Sequence, residues 1–222
     1  MEYAQGNGGL KFLQISRVSR LGECEVKFVD AFVKPQVQTK AMKTGVKMHE
    51  ELTEGLPKVS KEDVIKQISE GRKFGVRELF VTDNRYSIRG RIDSLEMTGN
   101  VVDGRNEGII VDDKYTRMEY DSIPLQYKLQ LAAYASAIRN SAEYGSICSI
   151  IGARLICRVS GTHEIIKEFE AGRAELASWV YNMPIAAKVA WVLYKGERKP
   201  RHMRLDIGTG EWGVCGCGHN GF

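Results

Sequence analysis

The run Ile109-Ile-Val-Asp112-Asp113-Lys114 places two acids and a cation at the end of an apolar stretch. Side chains along a strand alternate between faces, so Asp112 and Lys114 share one face and Asp113 takes the other. A carboxylate and an ammonium leaving a buried strand together are costly unless they pair or bind something. Taken alone, an Asp-x-Lys is ordinarily an ion pair at a strand end. A second acid, Asp93, stands in Gly90-Arg-Ile-Asp93 among Ile88, Ile92 and Leu95, with Gly90 permitting close backbone approach. Two carboxylates on neighbouring strands repel and need a proton or a cation between them. Oxygen-rich sites of this kind suit Mg2+ or Mn2+, which take a few protein carboxylates and keep several waters.

Gln130 and Tyr134 are four residues apart on a helical stretch, hence on one face, with Gln126 extending it. His49 lies between Val46 and Leu52 at helical spacing, a stripe expected to face the core, where a lone histidine is ordinarily a packed one. Of the five cysteines, Cys148 and Cys157 lie in strand-like apolar surroundings and read as core. Cys24, Cys215 and Cys217 do not, and the odd total argues against a disulfide framework.

The elements that must carry these residues follow from periodicity and breakers. Helices are expected over residues 16–32, 40–54 (stopped by Gly55 and Pro57) and from Ser60, as N-cap, to about Arg72. Strands are expected over 76–81, 86–97 with Asp83-Asn84 turning between them, and 108–116. A helix opened by Pro124 runs to 139, strands follow at about 147–159 and 163–169, and a long helix kinked by Pro184 covers 171–194. Residues 196–222 read as Gly-rich and irregular. The order indicates an α/β domain with a mixed central sheet flanked by helices.

The order His, G-x-x-D, D-x-K, Q-x-x-x-Y resembles the motif series of the RecB-like nucleases in the PD-(D/E)xK superfamily, from about Ser16 to Pro200. Gly45-Val-Lys-Met-His49 resembles their helical histidine motif. Arg77-Glu78 with Gly90-Arg-Ile-Asp93 resembles a region of exonuclease V. Val111-Asp-Asp-Lys-Tyr-Thr116 resembles a strand shared by that family and the CRISPR-adaptation exonucleases. The resemblance implies a restriction-endonuclease-like core at 1–200 and a Cys-containing clasp at 201–222 packed near Cys24. It implies His49, Asp93, Asp112 and the Asp113 carbonyl as ligands of one or two divalent cations. Lys114 would orient water and offset phosphate charge. Gln130 would hold Lys114 or the phosphate, Tyr134 would buttress the site or contact the DNA strand, and Glu78 would assist.

The same resemblance implies a metal-dependent deoxyribonuclease degrading single-stranded or frayed DNA ends, 5′→3′. A structure-specific endonuclease and a non-cutting DNA-end-binding module are the alternatives. CRISPR adaptation, repair or recombination, and phage DNA metabolism are the settings it offers, with a CRISPR integrase or recombination protein as partner. It further implies a [4Fe–4S] cluster on Cys24, Cys215 and Cys217. Here the cysteines are too few and spaced C-x-C, and His219 as fourth ligand would equally suit zinc.

A net charge of +4 permits a polyanionic partner. The densest basic stretch, Lys195–Arg204, reads either as part of that surface or as a solvated loop. There is no G-x-x-x-x-G-K-[ST] loop, so any strand unwinding is expected from a partner. The absence of a long apolar run or a signal-like N-terminus leads to the expectation of a cytoplasmic protein without membrane contact.

Overall fold

A computed structural model of the chain describes residues 11–34, 40–53, 59–116, 118–159 and 161–217, excepting the side chains of 40–42, 49, 52 and 53. A two-residue strand β1 (Leu13–Gln14) leads into a one-turn helix α1 (Ile15–Val18) and a 3-10 turn, then α2 (Glu25–Val33), α3 (Lys40–Thr53) and α4 (Lys61–Ser69). Three long strands follow: β2 (Lys73–Asp83), β3 (Ile88–Val102) and β4 (Arg105–Thr116). Helix α5 (Leu125–Arg139) connects to β5 (Cys148–Val159) and β6 (Ile165–Ala171). Then come α6 (Arg173–Tyr181), α7 (Met183–Tyr194), and a hairpin of β7 (Met203–Asp206) with β8 (Glu211–Val214).

The expected mixed α/β architecture is present. The central sheet runs β1-β3-β4-β5-β6, with β2 also paired to β3. Its pairs are antiparallel except β1 with β3 and β4 with β5. The parallel β4–β5 step requires a crossover, and α5 supplies it. Local expectations that hold have visible causes. Ser60 caps α4, its hydroxyl accepting from the Asp63 amide at 3.1 Å. The buried Asp83 closes the β2–β3 turn by accepting from the Tyr86 amide at 3.0 Å, and its other oxygen anchors Ser136 and Asn140 of α5.

Four expectations are corrected. The helix read over 16–32 is broken at Gly22–Cys24, because Gly22 packs on the first turn of α5: a Cβ there would lie 2.6 Å from the Gln126 nitrogen. The helix read over 171–194 is two helices meeting at Asn182, and Pro184 stands in the first turn of the second instead of kinking one. The tail read as irregular contains the β7–β8 hairpin. Pro124 caps α5 from outside, in extended conformation.

One feature of the register positions everything that follows. β3 pairs with β4 from Ser94↔Val111 onward, and with β1 on its same free side at Ile88 and Arg89. Between these stretches, Gly90, Arg91 and Ile92 pair only with β2. The sheet therefore forks: β3 and β4 part immediately beyond Ser94 and Val111, and Asp93 and Asp112 are the next residue on each branch.

Candidate active site at the fork of the sheet

At the fork the backbone ladder is replaced by side chains. The Asp113 amide donates to Asp93 Oδ2 at 2.9 Å, and the Asp93 carboxyl comes within hydrogen-bonding reach of Asp112. Alternation along β4 behaves as expected. Asp112 Oδ2 lies 2.6 Å from Lys114 Nζ on one face. On the other, Asp113 Oδ1 lies 2.7 Å from Arg158 Nε. Asp112 is 0% exposed and Lys114 20%, so the pair is nearly enclosed.

Helix α5 roofs the site. Gln130 Nε2 donates to Asp112 Oδ1 at 3.2 Å and to the Tyr134 hydroxyl at 3.1 Å. Gln130 thus reaches Asp112, beside Lys114; the resemblance implied Lys114 or the substrate phosphate as its partner. Tyr134 comes close because Gly90 lacks a side chain: a Cβ there would lie 3.0 Å from the Tyr134 ring and from Ile15. Lys114 Nζ also sits 5.4 Å from the centre of the Tyr127 ring. Tyr127 was not singled out in the sequence, although it falls three residues before Gln130 on the same helical stripe.

Burial dominates the electrostatics. It pushes the Asp112 carboxyl up to about 7; Lys114 opposes this and Asp93 adds to it. Burial acts to lower Lys114, but Asp112 and Asp93 outweigh it and hold the ammonium above its ordinary value. Burial, then the Asp112 charge, raises the Tyr134 hydroxyl, so it stays neutral. Two acids share a recess with one ammonium, and the buried Asp112 Oδ2 has no properly directed hydrogen bond despite its ion-pair contact. A hard divalent cation coordinated by Asp93 and Asp112 fits this donor set.

Asp93, Gly90 and Tyr134 open into a cavity of ≈ 820 Å³, whose other walls include Glu78, Phe80, Arg89, Arg91, Val46 and Glu50. Glu78 has a left-handed backbone (φ 57), falls between the Arg77↔Ser94 and Leu79↔Ile92 pairs of the β2–β3 register, and pairs with Arg91 at 3.0 Å. Val46, expected to face the core, is instead 52% exposed beside this cavity. The His49 side chain lies outside the described residues.

A second group forms where the chain ends meet. Cys24, His202, Cys215 and Cys217 converge, with all four ligand atoms within 4.8 Å of one another. Sequence reading named the three cysteines but not His202; its candidate His219 lies outside the described residues. Cys148 and Cys157 are buried in the core, as expected. The basic stretch is partly committed to structure, since Arg198 and Arg201 bind the fully buried Glu25 at 2.8–3.0 Å.

The sequence matches the PD-(D/E)XK nuclease superfamily over residues 12–190, and the chain belongs to that superfamily. Its fold is similar to that of a candidate exonuclease from Eubacterium rectale (TM-score 0.47, 13% identity, covering 90% of this chain and 87% of that one). It is also similar to an alkaline exonuclease from Laribacter hongkongensis (TM-score 0.40, 8% identity, covering 85% and 90%). No curated protein matches the chain. No helix among the described residues is long and apolar enough to cross a membrane.

Proposed function

We propose that the chain is a Mg2+- or Mn2+-dependent exonuclease that degrades single-stranded or frayed DNA from 5′ ends. The observation that carries this reading is the convergence of Asp93, Asp112 and Lys114 at the fork of the sheet, with Asp93 open to a cavity. A bound divalent ion would acidify a water and neutralise charge on the phosphate. Asp93 and Asp112, with His49 and the Asp113 carbonyl, are assigned as its ligands. Lys114, held charged by the two acids, lies where it can orient the attacking water and stabilise the developing oxyanion. Gln130 fixes the rotamer of Asp112, and Tyr134 fixes Gln130. Glu78 orients Arg91 in the cavity.

The cavity wall favours single strands. Phe80 is 54% exposed beside Arg89 and Arg91, which combines an aromatic face for a base with cations for the backbone. Residues 1–200 are assigned as the nuclease domain and 201–222 as a tail clasped to the Cys24 region. The 5′→3′ polarity rests on the family resemblance alone.

The test uses linear single strands labelled at either end and a circular single strand, each with Mg2+, Mn2+ or a chelator. Metal-dependent loss of linear strands from the 5′ end, with circles intact, is the expected result. Cut circles would indicate an endonuclease, and retention without cleavage a DNA-end-binding module. Asp112→Ala and Lys114→Ala are expected to abolish cutting in folded protein; full activity in either overturns the site.

A further inference from the structure

Cys24 Sγ lies 3.0 Å from Cys215 Sγ and 3.4 Å from Cys217 Sγ, and His202 Nδ1 lies 3.4 Å from Cys217 Sγ. The resemblance implied an iron–sulfur cluster here, and these residues do not fit one. In a four-iron cluster each thiolate binds a different iron around a sulfide-bridged core, which spreads the ligands widely. Donors gathered within 4.8 Å leave no room for that core. They are compact enough to close on a single tetrahedral ion with small side-chain adjustments. With Zn–S near 2.3 Å and Zn–N near 2.0–2.1 Å, neighbouring ligand atoms stand roughly 3.5–3.8 Å apart.

The backbone holds most of these ligands in place. Cys24 is the extended N-cap of α2, and its sulfur lies 3.8 Å from the Arg201 carbonyl, next to His202 in sequence. The Cys215 amide donates to the His202 carbonyl at 3.2 Å, fixing the residue after β8 against the one before β7 that carries the imidazole. Glu25, the residue after Cys24, is bound by the Arg201 amide at 2.8 Å, one residue before His202. Cys24, His202 and Cys215 are thus held by backbone anchors independent of any ion.

We propose that Cys24, His202, Cys215 and Cys217 form a closed, structural Cys3His zinc site, with His202 and not His219 as the fourth ligand. Four protein ligands leave no open position for a water, so the ion fastens the β7–β8 hairpin to α2 and does no chemistry. The proposal does not depend on the nuclease reading.

The full-length protein, purified anaerobically without a metal-affinity tag, is assayed for zinc, iron and labile sulfide, and by visible spectroscopy. The expected protein is colourless and holds about one zinc per chain. Exchange with Co2+ should give the ligand-field and thiolate charge-transfer bands of tetrahedral cobalt. His202→Ala should weaken zinc retention at least tenfold in a chelator competition, whereas His202→Cys and His219→Ala should retain it. About four irons with matching sulfide in a brown protein would overturn the proposal. So would a metal-free protein, zinc indifferent to Cys215→Ser, or zinc lost in His219→Ala but kept in His202→Ala.

Discussion

Removing the ammonium at the fork should destabilise the metal-free protein, whereas removing its carboxylate partner should not. Lys114→Met keeps the length of the side chain and its packing on Tyr127 while deleting the charge. At 2.6 Å, the ion pair with Asp112 is worth about 6 kcal/mol of gross attraction at an effective dielectric near 20, part of which offsets desolvation. Stranding a buried carboxylate costs about 3–5 kcal/mol. Lys114 is 20% exposed, which places the expectation at the lower end, roughly 3 kcal/mol. That corresponds to a fall in Tm of roughly 10 °C for a chain of this length. Asp112→Asn instead removes the buried charge, retains an acceptor for Gln130, and leaves Lys114 near Asp93. It should lie within about 1 kcal/mol of wild type. Urea unfolding in the presence of chelator, at mildly alkaline pH, measures both. Added Mg2+ or Mn2+ should restore part of the Lys114→Met loss, because a cation beside Asp112 replaces the missing one. Wild-type stability in Lys114→Met, or an equal loss in the two variants, would refute this account of the site.

Phe80→Ala should raise KM for single-stranded substrate about tenfold with kcat little changed, since a stacked base contributes roughly 1–3 kcal/mol; Phe80→Tyr should retain affinity. Gly90→Ala forces a Cβ to within 3.0 Å of both Ile15 and the Tyr134 ring, so it should cost about 1–3 kcal/mol in thermal unfolding and lower turnover by displacing Tyr134. Glu25→Gln leaves two arginines facing a neutral group; because Arg201 is 52% exposed, the expected loss is about 2–3 kcal/mol, read from denaturant midpoints. Burial pushes the Cys148 thiol up to about 12 and also raises Cys157, so both stay neutral at moderately alkaline pH. Native protein should therefore leave Cys148 and Cys157 unlabelled by maleimide, with Cys215 and Cys217 labelled only after chelation, as mass spectrometry of digests would show.

Much of the fork site was legible because strand and helix periods act over a few residues. Period two put Asp112 and Lys114 on one face and Asp113 on the other, and the structure pairs them accordingly, with Lys114 and with Arg158. Helical spacing put Gln130 and Tyr134 together, and they are hydrogen-bonded. The fork itself was not legible. It depends on which strand claims each edge of β3, a choice made by residues tens of positions away in β1 and β4. Two helices were drawn too long because apolar periodicity continues across Gly22 and Asn182, while the breaks come from contact with α5 and from a local change of direction. The β7–β8 strands, four residues each, are too short for alternation to register. His202 carried no local signal at all: it reaches the cysteines through the Glu25–Arg201 anchor and the hairpin pairing.

The parted strands also divide the sheet into two leaves, β1-β2-β3 and β4-β5-β6, whose backbones share no hydrogen bonds past Ser94 and Val111. At that seam, the side chain of Asp93 on one leaf and the amide of Asp113 on the other form the stitch. An ion held by both Asp93 and Asp112 would be a rivet through both leaves, and tightening it would stiffen the whole scaffold. By reciprocity, whatever strains the leaves apart, whether a remote substitution or a bound strand prying at the cavity, must loosen the ion by the same free energy.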